Sequence, residues 1–203
     1  MLLPPASAEA FENIAAFGRY AAGRGWVPAT SGNFSCRIDR RHAAVTRSGI
    51  DKGSIGPEGI AIVAIDEAVP PGLSAETPLH LARYRTDAEI GAIFHVHTVA
   101  ATVLSKRDEA RGAVRTDGLE MHKAIGVRTH AGAVEIPIFA NNHDTAALAK
   151  RVEARLGAAA PVPGFLLAGH GLYAWGASAA DARRHLEGLE FLLACQLEER
   201  RLR

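Results

Sequence analysis

Cysteine is almost absent from this 203-residue chain: only Cys36 and Cys195 occur, far apart and with no C-x-x-C spacing. That excludes a disulfide scaffold and a thiolate zinc finger as organising principles. Long apolar runs are absent too. The densest, residues 60–65, stops at Asp66, well short of the roughly 18 residues that a membrane span needs. Neither sign of charge dominates, with 23 basic against 22 acidic residues and a net charge of +1. Such a balance argues against a nucleic-acid footprint, an acidic tail or a polybasic membrane patch. The opening segment lacks a basic n-region, and Glu9 and Glu12 interrupt its apolar residues, unlike a signal peptide. The expectation is a cytoplasmic protein, with which unpaired cysteines agree. What the chain does have is nine histidines. A metal bound here would be held by imidazole and carboxylate.

The remaining composition, 48% hydrophobic and 22% charged, is that of an ordinary globular protein. No repeat, linker or composition break divides residues 1–203, so one α/β domain is the economical reading. Ser7, with Glu9 and Glu12 behind it, reads as the cap of a first helix that Gly23 and Gly25 stop. Strand-like pieces at 33–38, 43–46 and 60–65 follow, separated by turn residues. Residues 77–86 read as a helix with Pro78 near its start. A buried strand at 90–97 and a helix at 99–109 come next. The second half offers a short helix at 118–125, a strand at 133–139 and a helix ending near 156. Strands at 165–168 and 172–175 flank Gly169-His170-Gly171. Ser178 and Asp181 look like a capping box for a terminal helix with a Leu186, Leu189, Leu193 and Leu197 stripe.

The sharpest local feature is His95-x-His97 within the apolar strand. Alternate residues of a strand share a face, so the two imidazoles project together, roughly 6–7 Å apart by the strand rise. That spacing lets both converge on one ion. His170 sits between glycines that allow close backbone approach. Together His95, His97 and His170 form a three-histidine set, which suits a catalytic metal with one position left open. His42, His80, His130, His143 and His185 read as surface or packing residues. His122 adjoins Glu120 and is harder to assign.

Locally, Ser74 and Glu76 read as a cap and a first-turn carboxylate of the helix at 77–86, or as an anion contact and an acid/base or metal ligand. Glu120, with Lys123 three residues on, reads as an ordinary surface pair. Thr30-Ser31-Gly32-Asn33 and the segment from Thr46 to Lys52 offer backbone N–H groups and hydroxyls that could cradle a phosphate. Neither is a Walker or dinucleotide motif.

Taken in order, Ser31-Gly32-Asn33, Ser48-Gly49-Ile50, Ser74-Ala75-Glu76, His95-x-His97 and Gly169-His170-Gly171 resemble the class II aldolase/adducin family of zinc enzymes over nearly the whole chain. The resemblance implies a central, mainly antiparallel β-sheet flanked by helices. It implies His95, His97 and His170 as ligands of one Zn2+ per subunit, with Ser31, Gly32, Asn33, Ser48, Gly49 and Ser74 as phosphate contacts. Glu76 matches the family's acid/base carboxylate, which can also bind the metal at rest. Ala75 departs from the second phosphate-binding Ser of some aldolases, so the phosphate pocket differs there. Glu120-x-x-Lys123-Ala124 and His170-Gly171-Leu172-Tyr173-x-Trp175-Gly176 point within the family to its dehydratases, with Glu120 as acid/base. The implied reaction is dehydration of a 1-phosphorylated ketose with a methylthio group on C5. A phosphoketose aldolase or pentulose-phosphate epimerase is the alternative, and a non-catalytic adducin-like module a further one. The family also implies a homotetramer.

Overall fold

The computed structural model describes residues 4–127, 132–157 and 162–202; His130 lies outside them. The strands are β1 (Asn33–Arg37), β2 (His42–Thr46), β3 (Ile60–Ala64), β4 (Ala92–Val96), β5 (Ala113–Thr116), β6 (Val134–Phe139), β7 (Gly164–Leu167) and β8 (Gly171–Gly176). They form one sheet in the order β3-β2-β1-β4-β8-β7-β6-β5. Every neighbouring pair is antiparallel except β6 and β7. The helices are α1 (Pro5–Gly23), α2 (Thr77–Thr86), α3 (Val99–Arg107), α4 (Thr145–Leu156) and α5 (Ala179–Arg201). This is the α/β architecture expected from the resemblance, with α4 supplying the crossover that a parallel pair requires.

Two apolar layers cover the sheet. Phe34, Phe94, Val96 and Leu172 face α1, α3 and α5 through Ile14, Phe17, Leu104, Leu186 and Leu189. On the opposite face Ile93, Tyr173, Phe165 and Trp175 meet α2 and α4 through Leu79, Leu81, Leu148 and Val152. The alternation along β4 therefore decides the site. Phe94 and Val96 go to the first layer, so His95 emerges on the side of α2. Register does the rest, because Asn33 lies opposite His95 on one side and Tyr173 opposite it on the other.

Two local expectations need correction. Ser7 does not cap α1; the helix starts two residues earlier, with Pro5 in the first turn and Ser7 buried inside it. Proline fits there because its missing N–H would have no helical partner. Ser74 is not the cap of α2 either. Glu76 holds the cap position without a side-chain capping bond. The Ser74 hydroxyl instead accepts from the Glu76 N–H at 3.3 Å. Strand β5 carries few apolar residues and is not evident in the sequence. Ser178 caps α5 as read, and Thr98 and Asp144 likewise accept backbone N–H groups at the starts of α3 and α4.

Candidate metal centre

His95 and His97 lie at the end of β4, and His170 in the tight turn between β7 and β8. The turn is held by the Thr102 hydroxyl, which donates to the His170 carbonyl at 2.8 Å, and by the Ser105 hydroxyl, which accepts from the Gly169 N–H at 3.1 Å. The three Nε2 atoms are 2.9, 3.1 and 3.4 Å apart. Tetrahedral nitrogen ligands at about 2.0–2.1 Å from one ion would stand about 3.3 Å apart, so the triangle has the size of a metal site.

Proton positions agree. His95 Nδ1 lies 3.1 Å from the Leu172 carbonyl, an acceptor only, so Nδ1 carries the hydrogen and Nε2 is a bare lone pair. Burial first, then the neighbouring His97 and His170, holds His95 well below its ordinary pKa. Burial, with His170 adding to it, pushes His97 down to about 4. Tyr173 stacks on the His95 ring with centroids 4.0 Å apart and fixes its plane.

Glu76 completes the arrangement. Its Oε1 is 3.0 Å from His170 Nε2, and its Oε2 is 3.3 Å from His95 Nε2. With His95 Nε2 unprotonated, that contact sets two acceptors face to face. Acceptors converging without an intervening proton are stabilised by a cation between them. The donor set therefore fits a divalent metal ion held by His95, His97, His170 and, as a fourth group, Glu76.

The carboxylate is anchored from behind. Asn33 Nδ2 donates to Glu76 Oε2 at 2.5 Å, and Asn33 Oδ1 meets His80 Nε2 at 2.5 Å. Thr145, the first residue of α4, donates to the Ala75 carbonyl at 2.6 Å. Both ends of the Asn33 amide are thus engaged within the protein. The Asn33 side chain supports Glu76 because it reaches the metal site along the face that β1 shares with His95. His80, expected to be a packing residue, is fully buried in the same network. Burial pushes it down to about 4, so it is neutral.

The glycine loops adjoin each other. Arg47 bridges to Leu73 as an isolated antiparallel pair, and the Ser48 N–H donates to the Gly72 carbonyl. Lys52, missed in the sequence as a distinct element, ties the first loop to the second. Its Nζ donates to the Thr30 and Ile50 carbonyls at 3.0 and 2.7 Å. Lys52 is 1% exposed. Burial lowers its pKa. Ala29 and Thr30 both take left-handed φ, 51° and 66°, a costly choice for residues with Cβ. They set up Ser31, whose hydroxyl is buried without a hydrogen-bond partner, and Gly32. A Cβ on Gly32 would stand 2.7 Å from the His95 carbonyl. Gly49 is also left-handed, with φ 71°.

Glu120 is not brought into the cluster. It opens a 3-10 helix, Glu120–Ile125, whose Ile125 belongs to the layer on the α5 side of the sheet. Its side chain is 69% exposed and pairs with Lys123. His122 is buried beside it and bonds the Thr116 hydroxyl at 2.9 Å, away from the triad. Among the described residues, His95, His97 and His170 form the single group with metal-ligand geometry.

Residues 12–197 match the family described as Class II Aldolase and Adducin N-terminal domain. The chain belongs to this class of proteins, as its fold and histidine site already suggested. Within the family, it is 52% identical to the methylthioribulose-1-phosphate dehydratase of Parvibaculum lavamentivorans, covering 95% of each chain. It is 48% identical to the protein of that name from Bradyrhizobium sp., covering 95% of this chain and 92% of the relative. Among solved structures, an L-fuculose-1-phosphate aldolase from Thermus thermophilus superposes with a TM-score of 0.77 at 27% identity, over 95% of this chain and 96% of that one.

Proposed function

We propose that this chain dehydrates 5-(methylthio)ribulose 1-phosphate to 5-(methylthio)-2,3-dioxopentyl phosphate, a step of methionine salvage, with one Zn2+ per subunit. The observation that carries the reading is the convergence of three imidazole Nε2 atoms and the Glu76 carboxylate in a chain half identical to dehydratases of that name. Borderline-soft zinc suits imidazole and carboxylate together.

Elimination removes the C3 proton and the C4 hydroxyl as water and leaves an enol that relaxes to the 2,3-diketone. A C3 carbon acid needs the negative charge on its C2 oxygen stabilised, and hydroxide needs a proton to leave. The ion, when bound, supplies Lewis-acid polarisation of the ketose carbonyl. The chain supplies the rest. The Ser31-Gly32 and Ser48-Gly49 loops and Ser74 bind the C1 phosphate through N–H and hydroxyl groups, and Lys52 holds two of those loops in register. Glu120 moves the proton from C3 or to the C4 hydroxyl, a role typically worth about 10²–10⁴-fold. Because Glu120 stands on the other side of the sheet from Glu76, it meets the substrate from a neighbouring copy in a homotetramer. Val99 and Val103 on α3 and Phe191 on α5 are exposed apolar side chains of the kind such an interface covers.

Glu120→Gln tests the reading. Metal content and fold should be retained while diketone formation falls by at least two orders of magnitude; near-wild-type turnover would sink the role of Glu120. The family's aldolases provide a second reading, favoured by the position of Glu76 beside the triad. Release of an aldehyde and a triose phosphate from the same substrate would establish it. The complete ligand set argues against a non-catalytic module.

A further inference from the structure

Strand β1 presents Asn33, Ser35 and Arg37 on one face and buries Phe34 and Cys36 on the other. Polar residues at alternate positions of a central strand are costly unless each is satisfied. Arg37 is satisfied by the Tyr84, Asp87 and Ile90 carbonyls. Asn33 and Ser35 share a different partner, His80. Ser35 Oγ lies 2.7 Å from His80 Nδ1 and 2.9 Å from the Tyr84 hydroxyl. With the Asn33 contacts described above, five side chains form a continuous series, in which the buried Tyr84, Ser35, His80 and Asn33 lead to the partly exposed Glu76.

Every donor in this series points the same way. Asn33 presents its NH2 to Glu76 Oε2 and its Oδ1 to His80. Oδ1 can only accept, so His80 carries its hydrogen on Nε2. A neutral His80 then has a lone pair on Nδ1, so the Ser35 hydroxyl donates to it and accepts in turn from Tyr84. No link can be reversed without setting two acceptors or two donors against each other.

We propose that His80 is a positioning residue of the metal site: through Asn33 it holds the Glu76 side chain aimed at His95 and His170. This rests on the reading of Glu76 and the three histidines as the metal-binding set. Helix geometry favours the arrangement, because Glu76 and His80 are four residues apart and rise on one face of α2. Outer-shell partners of metal ligands typically carry about 10- to 100-fold in affinity or activity, and a helix-start carboxylate without such support would sample several rotamers.

The test reads hydrogen positions and metal affinity, neither of which requires turnover. Nitrogen-15 NMR of the histidine-labelled protein at pH 7 should find His80 neutral with its hydrogen on Nε2. A hydrogen on Nδ1, or an imidazolium, overturns the proposal. Zn2+ affinity, measured by competition with a chromophoric chelator, should fall by about 10- to 100-fold in His80→Phe. It should largely recover in His80→Gln, whose amide can still donate to Asn33. Unchanged affinity in a folded His80→Phe protein overturns the proposal. If that variant does not fold, Asn33→Asp replaces the donor facing Glu76 by an acceptor at equal size, and wild-type affinity there overturns it equally. Protein that shows the expected tautomer and affinity losses but makes no diketone refutes the dehydratase reading and leaves the role of His80 standing.

Discussion

Gly171 follows His170 of the candidate metal site and begins β8 against β4. A Cβ built on it would lie 2.3 Å from the Val96 carbonyl oxygen and 2.9 Å from Cε1 of the His95 ring. Real Cβ atoms essentially never approach closer than 3.0 Å, so Gly171→Ala requires about 0.7 Å of separation from a backbone atom (3.0 minus 2.3). Neither neighbour is a flexible side-chain end. One is the backbone of β4, and the other is the His95 ring, stacked on Tyr173. Overpacking of this kind costs typically 1–3 kcal/mol, and at about 2–4 °C per kcal/mol for a chain of this size Tm should fall by about 2–12 °C. The metal should suffer more, since ligand positions tolerate only about 0.2 Å. Differential scanning calorimetry of metal-free protein and chelator competition on the loaded protein measure the two effects. Gly169→Ala is the control: its φ of 64° makes alanine strained, but the nearest atoms are Lys106 side-chain carbons at 3.8 Å. It should lose about 1–2 kcal/mol of stability through backbone strain with much less effect on metal affinity. Wild-type Tm and metal binding in Gly171→Ala, or equal loss of metal in both variants, would refute the reasoning.

Acid should destabilise the metal-free protein below the ordinary histidine range. His80 titrates near 4 when folded and near 6.5 when unfolded, so between those values the unfolded chain binds the extra proton. Stability therefore falls as pH drops from about 6.5 toward 4, with a slope of up to about 1.4 kcal/mol per pH unit from this group. Urea midpoints that do not change between pH 7 and 5 would contradict the neutral, buried His80. Lys52→Met should keep metal content but raise KM for the phosphorylated substrate at least tenfold, since the Thr30 and Ile50 carbonyls lose their shared donor. Steady-state kinetics that show only a kcat change would remove Lys52 from the phosphate loops.

The histidine triad was legible in the sequence because a period-two pattern inside an apolar strand directs His95 and His97 to one face whatever the neighbouring strands do. Helix α2 was legible because Pro78 marks its start. The support of Glu76 was not. Asn33 looked like a loop residue and His80 like packing, because their pairing depends on β1 lying beside β4, a register between residues about 60 positions apart in sequence. The alternation of Asn33, Ser35 and Arg37 was the available signal, and its meaning needed the partner helix. Lys52 was visible as a cation but not as a buried one. Glu120 illustrates the opposite limit: family resemblance singles it out, whereas its place in one chain, exposed and paired with Lys123, does not distinguish it from a surface residue.

The pairing of β4 with β8 brings His95 opposite Tyr173, so the candidate metal site joins segments with three strands, β5 to β7, between them in sequence. Closing so long a loop is entropically slow and happens only with the long-range contacts already forming. During synthesis, a chain that has emerged only as far as His97 holds two of the three imidazoles of the candidate site and lacks His170. Metal capture is then an event of the completed sheet, and the rate at which added ion is bound during refolding becomes a clock for the closure of β8 onto β4.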